Sequence, residues 1–131
     1  MNAVPRQDEV RLTVPATPEF LRLARVTATG LASRLGFTYD EVEDLRLAID
    51  ELCFALIGTK GKVGSVALHY LLTDDGLHVE GVGFFEEDVP SGPKLNDFSR
   101  QILRALVDEY DVSQDDDGRP RFGLAKRRTA A

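Results

Sequence analysis

Few side chains in this 131-residue sequence are of kinds that do chemistry, and their spacing narrows the choice further. Cys53 is the one cysteine, so an internal disulfide and a structural thiolate metal cage are both excluded. The two histidines, His69 and His78, lie in segments that alternate apolar and polar residues around Asp75-Gly76. With that pair as a two-residue turn, Leu72 faces Val79 and both imidazoles point to the other side at different heights, which disfavours a shared metal. Neither a phosphate-cradling G-x-x-x-x-G-K nor a G-x-S-x-G nucleophile elbow is present. What remains is carried on helices: Glu51 with Ala55 one turn later, and the pair Arg22 and Arg25. Taken by themselves these are a solvated carboxylate and a solvated charged flank, and Cys53 is a small apolar residue at the edge of the core.

The elements that must position these groups can be read in order. Val10, Leu12 and Val14 alternate as a strand until Pro15 and Pro18 break it. A first helix follows, capped by Thr17 with Pro18 at its first position, carrying Phe20, Leu23, Ala24, Thr27 and Leu31 at helical spacing until Gly36. Thr38 and Glu41 form a capping box for a second helix, with Phe37 placed to staple against Val42. Its apolar face is Val42, Leu45, Ala48, Ile49, Leu52 and Leu56, and at about 100° per residue Asp44, Glu51 and Ala55 fall together on one flank.

A hairpin of Val66, Leu68, Tyr70 and Leu72 with Leu77 and Val79 comes next. The stretch from Phe85 to Asn96, with Glu86, Glu87, Asp88 and two prolines, is a long loop of the kind that forms lids. Asn96 or Asp97 caps a third helix whose stripe is Phe98, Ile102, Leu103, Leu106, Val107 and Tyr110. Val112, an acidic turn to Gly118, and Phe122 with Leu124 close a last hairpin before the basic tail Lys126-Arg127-Arg128. Strands gathered in pairs predict an α/β (α+β) two-layer sandwich: a mixed, mostly antiparallel sheet with three helices on one face. One domain, 1–131, is expected, with an ordered core of about 8–126 and flexible ends at 1–7 and 127–131.

Composition bounds the function. Hydrophobic residues at 43% and charged residues at 29% describe an ordinary globular chain, and no apolar run approaches the roughly 20 residues of a bilayer span. With 22 acidic against 16 basic residues, the net charge of -6 disfavours direct nucleic-acid binding, which needs the opposite sign. A cytoplasmic protein without membrane contact is expected, one whose acidity suits a basic protein partner or serves solubility alone.

Three segments carry a resemblance. Val42 to Cys53, ending Asp50-Glu51-Leu52-Cys53, resembles the first nucleotide-binding motif of the histidine-kinase/Hsp90-like ATPases, and specifically of the RsbW/SpoIIAB anti-sigma factors with their S-E-A-C or D-E-V-C. Ala24-Arg25-Val26-Thr27 is similar to an A-R-V-T run in that family, and Arg104-Ala105-Leu106-Val107-Asp108-Glu109 to its R-A-L-V-D-E. The similarity covers Val10 to Lys126 and implies a Bergerat-type ATPase fold.

The resemblance also implies roles. The glutamate at Glu51 is the family's base toward a target serine, and the residue one turn later is an asparagine that holds Mg²⁺ against ATP; here that residue is Ala55, whose methyl group cannot ligate. Gly81 and Gly83 align with the glycines of a D-x-G-x-G motif whose aspartate is missing, since Val79 or Gly81 stands in its place. Asp97 and Ser99 stand where phosphate-loop glycines are expected, and Asp97 would repel a triphosphate. Arg25 matches an arginine that meets protein partners, and Arg22 shares its flank. The implied function is an anti-sigma factor that sequesters an alternative sigma factor as a homodimer, with kinase activity weak or lost. The alternative is an active serine/threonine kinase acting on an anti-anti-sigma (STAS) antagonist. No metal or cofactor is expected, with ATP and Mg²⁺ possible only through the family.

Overall fold

Alternation of apolar and polar residues builds the sheet, and its inward rows build the core. The computed structural model describes residues 8–86 and 94–129. In chain order these form β1 (Asp8–Pro15), α1 (Pro18–Arg34), α2 (Tyr39–Ile57), β2 (Gly64–Leu72), β3 (Gly76–Phe85), α3 (Asp97–Leu106), β4 (Glu109–Gln114) and β5 (Pro120–Arg127). The five strands run β1-β2-β3-β5-β4. Every pairing is antiparallel, so the parallel component expected of a mixed sheet is absent among the described residues. The reason is local: β2–β3 and β4–β5 are hairpins, and α3 with β4 returns the chain so that β5 enters beside β3 in the opposite sense.

Val66, Leu68, Tyr70, Leu77, Val79, Phe122 and Leu124 point inward and are buried against Leu45, Ala48, Ile49 and Leu52 of α2, Ala24 and Ala28 of α1, and Leu103 of α3. The result is the expected two-layer sandwich. The opposite face of the sheet is open, with His69, His78, Glu80 and Arg121 around a depression of about 490 Å³. Both histidines are on that face, as the alternation requires. Among the described residues no cluster of three metal-binding side chains occurs.

Three local readings need correction. The buried stripe of α1 is Leu21, Ala24, Ala28 and Ala32, while Phe20 and Leu23 are 43% and 46% exposed. Alanines let the helix sit close enough for the Tyr70 hydroxyl to donate to the Ala24 carbonyl at 3.0 Å. Second, Leu72 pairs with Leu77 and Tyr70 with Val79, because the Thr73 hydroxyl and amide both donate to the Gly76 carbonyl and put the turn at Asp74-Asp75, one residue earlier than expected. A shift of two residues keeps each side chain on its expected face. Third, α3 ends at Leu106; Val107 is extended, Tyr110 belongs to β4, and Phe98 is 70% exposed. Much of the expected Phe85–Asn96 loop, including Glu87 and Asp88, lies outside the described residues.

The capping box of α2 is formed as expected, Thr38 accepting from the Glu41 amide while Glu41 accepts from the Thr38 amide. Thr17 is the N-cap of α1, but its hydroxyl makes no capping bond and is unpartnered. The Arg128 guanidinium donates to the Leu35 and Asp74 carbonyls, and Thr129 donates its amide and hydroxyl to Glu41.

Candidate functional site

Helix α2 presents two flanks, and each carries one of the constellations read from the sequence. Asp44, Glu51 and Ala55 face α3 and the end of β5. On the opposite flank Asp50 faces α1, where its carboxylate meets Arg25 at 3.0 Å. The capping box fixes this rotation, since the register of a capped helix is set from its first turn.

On the first flank the half-buried Glu51 accepts a hydrogen bond from the Ser99 hydroxyl. Ser99 is buried in the first turn of α3, and the Asn96 side chain accepts from its amide at 2.7 Å, so the hydroxyl is placed by a capped helix end. Ala55 is half-buried on the same flank and offers no ligand atom. Further along, Lys126 donates to the Leu106 carbonyl at 2.6 Å and lies 3.8 Å from Asp44, tying α2, α3 and β5 together.

The floor is β3. Gly81 and Gly83 are both buried and inward-facing, but neither opens a space. A Cβ added to Gly81 would run into the Phe122 ring, which is fully buried, and one on Gly83 would run into the Phe85 ring. Gly81 and Phe122 are cross-strand partners, so the ring lies over the bare backbone opposite it. Val79, in the aspartate position of the resembled motif, is buried core. Asp97, in a phosphate-loop position of the resembled motif, is exposed in the first turn of α3.

These positions do not fit Mg²⁺ and a nucleoside triphosphate. In the positions of the resembled motifs, Ala55 offers a methyl group where an amide ligand would stand, Gly81 and Gly83 are packed against aromatic rings, and Asp97 puts a carboxylate in the first turn of α3. Cys53, on the buried side of α2, is no nucleophile, because burial pushes its thiol up to about 12. Sequence reasoning placed Glu51, Ala55, Gly81, Gly83, Arg22 and Arg25. It did not foresee Asp50 as the partner of Arg25, Ser99 as a hydrogen-bond donor to Glu51, or Phe122 and Phe85 over the glycines. The helical period already puts Asp50 off the flank that carries Glu51, whereas the β3–β5 pairing that sets Phe122 against Gly81 joins strands that are not consecutive and leaves no local signal.

The architecture is a five-stranded antiparallel sheet under three helices, with Ser99 on Glu51 and aromatic rings against Gly81 and Gly83. Comparison with known proteins supplies the relationship. No family model matches the chain. The RsbW serine-protein kinase of Bacillus cereus strain Q1 is 32% identical over 125 residues, covering 91% of this chain and 69% of that protein. Its counterpart in Bacillus pumilus strain SAFR-032 is 38% identical over 77 residues, 55% of this chain and 48% of that protein. The chain belongs to the RsbW family of anti-sigma factors and serine-protein kinases. The fold agrees with the crystal structure of the RsbU and RsbW domains of Rv1364c from Mycobacterium tuberculosis, with a TM-score of 0.68 and 17% identity over 92% of this chain. This chain spans 32% of that longer one. No helix among the described residues is long and apolar enough to cross a membrane.

Proposed function

We propose that this protein is an anti-sigma factor that binds and sequesters an alternative sigma factor, and that its ATP-dependent kinase reaction is weak or lost. The observation that carries the reading is the refilled cleft: Ser99 holds Glu51 while Phe122 and Phe85 cover Gly81 and Gly83. A carboxylate that serves as base toward a partner's serine must be free to accept that hydroxyl. Here a hydroxyl of the chain itself occupies one of its oxygens. Binding without turnover needs only a surface, which the helix layer and the open sheet face provide. The excess of acidic residues supports long-range attraction of a basic, DNA-binding partner. The protein acts in the cytoplasm as a homodimer, and an anti-anti-sigma protein or another signal releases its partner.

Affinity pull-down from the native cell tests the partner, and recovery of a sigma subunit is the expected result. Calorimetric titration with Mg-ATP and a phosphorylation assay on a STAS antagonist test the chemistry. No saturable binding at millimolar Mg-ATP and no transfer are expected. Saturable binding with turnover abolished in Glu51→Ala would establish the active kinase instead, a reading favoured by the retention of Glu51 and by the names of the relatives.

A further inference from the structure

Beyond β5 the chain continues as a strap across the ends of α1 and α2 and the β2–β3 turn. The Arg127 amide donates to the Asp108 carboxylate at 2.7 Å, and the Arg128 amide to the Asp75 carbonyl at 2.9 Å. The Arg128 guanidinium then donates to the Leu35 carbonyl at the end of α1 at 2.7 Å and to the Asp74 carbonyl in the turn at 2.8 Å. Thr129 fastens the strap to the buried Glu41, giving its amide at 2.8 Å and its hydroxyl at 3.1 Å to one carboxylate oxygen. The other oxygen of Glu41 accepts from the Thr38 amide at 2.8 Å, so one carboxylate serves the α2 capping box and the strap at once.

Thr129 is exposed, and its sequence setting is unlike that of any other hydroxyl. Lys126-Arg127-Arg128 is the only run of adjacent cationic residues in a sequence of net charge -6. No other serine or threonine has more than one cation among the three residues before it. Cations just ahead of a hydroxyl are a charge pattern by which protein kinases select their targets. The strap is also built to respond to a phosphate. Arg128 makes no ion pair among the described residues, and its guanidinium answers two neutral carbonyls. A phosphate on the next residue offers it a doubly charged acceptor, and hydrogen bonds to ionised groups are about twice as strong as neutral ones. Glu41 would meet a group of about -1.5 to -2 charge across the 3.1 Å that separates it from the hydroxyl. Both effects draw the strap off the same contacts.

We propose that Thr129 is a phosphorylation site for a separate, arginine-directed serine/threonine protein kinase, and that its phosphate releases the strap from α1, α2 and the β2–β3 turn. The transfer joins Thr129 Oγ1 to the γ-phosphorus of ATP, breaks that phosphorus's bond to the bridging oxygen of ADP, and passes the hydroxyl proton to a base of the kinase. The phosphate removes a donor from Glu41 and repels its carboxylate, while Arg128 turns from the Leu35 and Asp74 carbonyls to the new dianion. The bonds between Thr38 and Glu41 are untouched, so α2 keeps its cap and its register. What is set free is the tie between the end of α1 and the β2–β3 turn. The site stands apart from Glu51 and from the reading of the chain as an anti-sigma factor, which neither needs nor predicts it.

The test uses the full chain with phosphothreonine genetically encoded at position 129, beside the unmodified chain and Thr129→Val. In amide hydrogen exchange, protection of the Arg128 amide should fall by about tenfold or more in the phosphorylated chain, while that of the Glu41 amide changes by less than about twofold. Thr129→Val loses the hydroxyl but keeps the amide donor and Arg128, and should lower Arg128 protection by no more than about threefold. Undiminished Arg128 protection under the phosphate, or an equal loss throughout α2, would overturn the release. A second arm tests the site itself. Extract of the native cell with γ-labelled ATP should label the unmodified chain on Thr129, as located by tandem mass spectrometry. Arg127→Ala, a change at an exposed position, should cut that label by about tenfold. Absence of label on Thr129, or equal label in Arg127→Ala, would overturn the assignment.

Discussion

Gly81→Ala is the sharpest probe of whether Phe122 fills the space over β3. The added methyl meets the Phe122 ring, and because that ring is fully buried it has nowhere to swing. Gly81 needs no left-handed backbone, so the cost is one of packing and not of conformation. Forcing a methyl group into a packed core costs about 1–3 kcal/mol, which for a chain of this size lowers the melting temperature by roughly 3–10 °C. Gly30→Ala is the internal control. Gly30 is exposed on α1 with nothing within 4 Å of where a methyl group would stand, so the substitution should stabilise the helix by about 0.5–1 kcal/mol. Thermal and urea unfolding of both variants give the comparison. A double-mutant cycle adds the mechanism: Phe122→Leu should absorb part of the Gly81→Ala penalty, so that the two together cost less than their sum. An unchanged melting temperature in Gly81→Ala would refute the argument, because the space over β3 would then be open.

Other outcomes follow from the same geometry. Glu41 accepts from the Thr38 amide first of all, and then from Thr129, which holds its carboxyl below the ordinary value of 4.5. A carboxylate lowered by folding stabilises the chain above that ordinary value and loses the contribution as pH falls below it. Glu41→Gln should therefore flatten the acid limb of a stability profile run from neutral pH to about pH 3. Cys53, buried with its thiol raised to about 12, should resist thiol reagents in the native state and react at the rate of unfolding, so a fast native reaction would contradict its burial. Arg128→Ala removes two donors to the Leu35 and Asp74 carbonyls and should cost about 1–2 kcal/mol in urea unfolding.

The elements are legible in the sequence because their signals are local. The Thr38–Glu41 box, the Asn96 cap and the alternation in β2, β3 and β5 each depend on a few adjacent residues, and each forms where its pattern stands. The errors have a common origin as well. Apolar spacing assigns the stripe on α1 to its largest side chains, whereas close approach to Tyr70 selects the alanine row and leaves Phe20 and Leu23 outside. In α3 the apolar spacing runs on past Leu106, but Val107 turns extended so that β4 can pair with β5. Pairing across the sheet, which no single segment encodes, overrides helical periodicity there.

The candidate site divides along the same line. Glu51 and Ala55 share a flank by helix geometry alone, and so can be placed from one segment. Their surroundings cannot, because Ser99 lies 48 residues from Glu51 and Phe122 reaches Gly81 from a different strand. Those distant contacts carry the argument for function. A half-buried carboxylate without a partner is costly, and bare glycine backbone in a core leaves a void; both are penalties that a bound ligand would otherwise relieve. In this chain the relief comes from its own side chains, a hydroxyl on the carboxylate and rings on the glycines. Mere decay of a binding motif would leave those penalties unanswered. Their joint satisfaction is what lets these positions stay packed in the folded chain without a bound group.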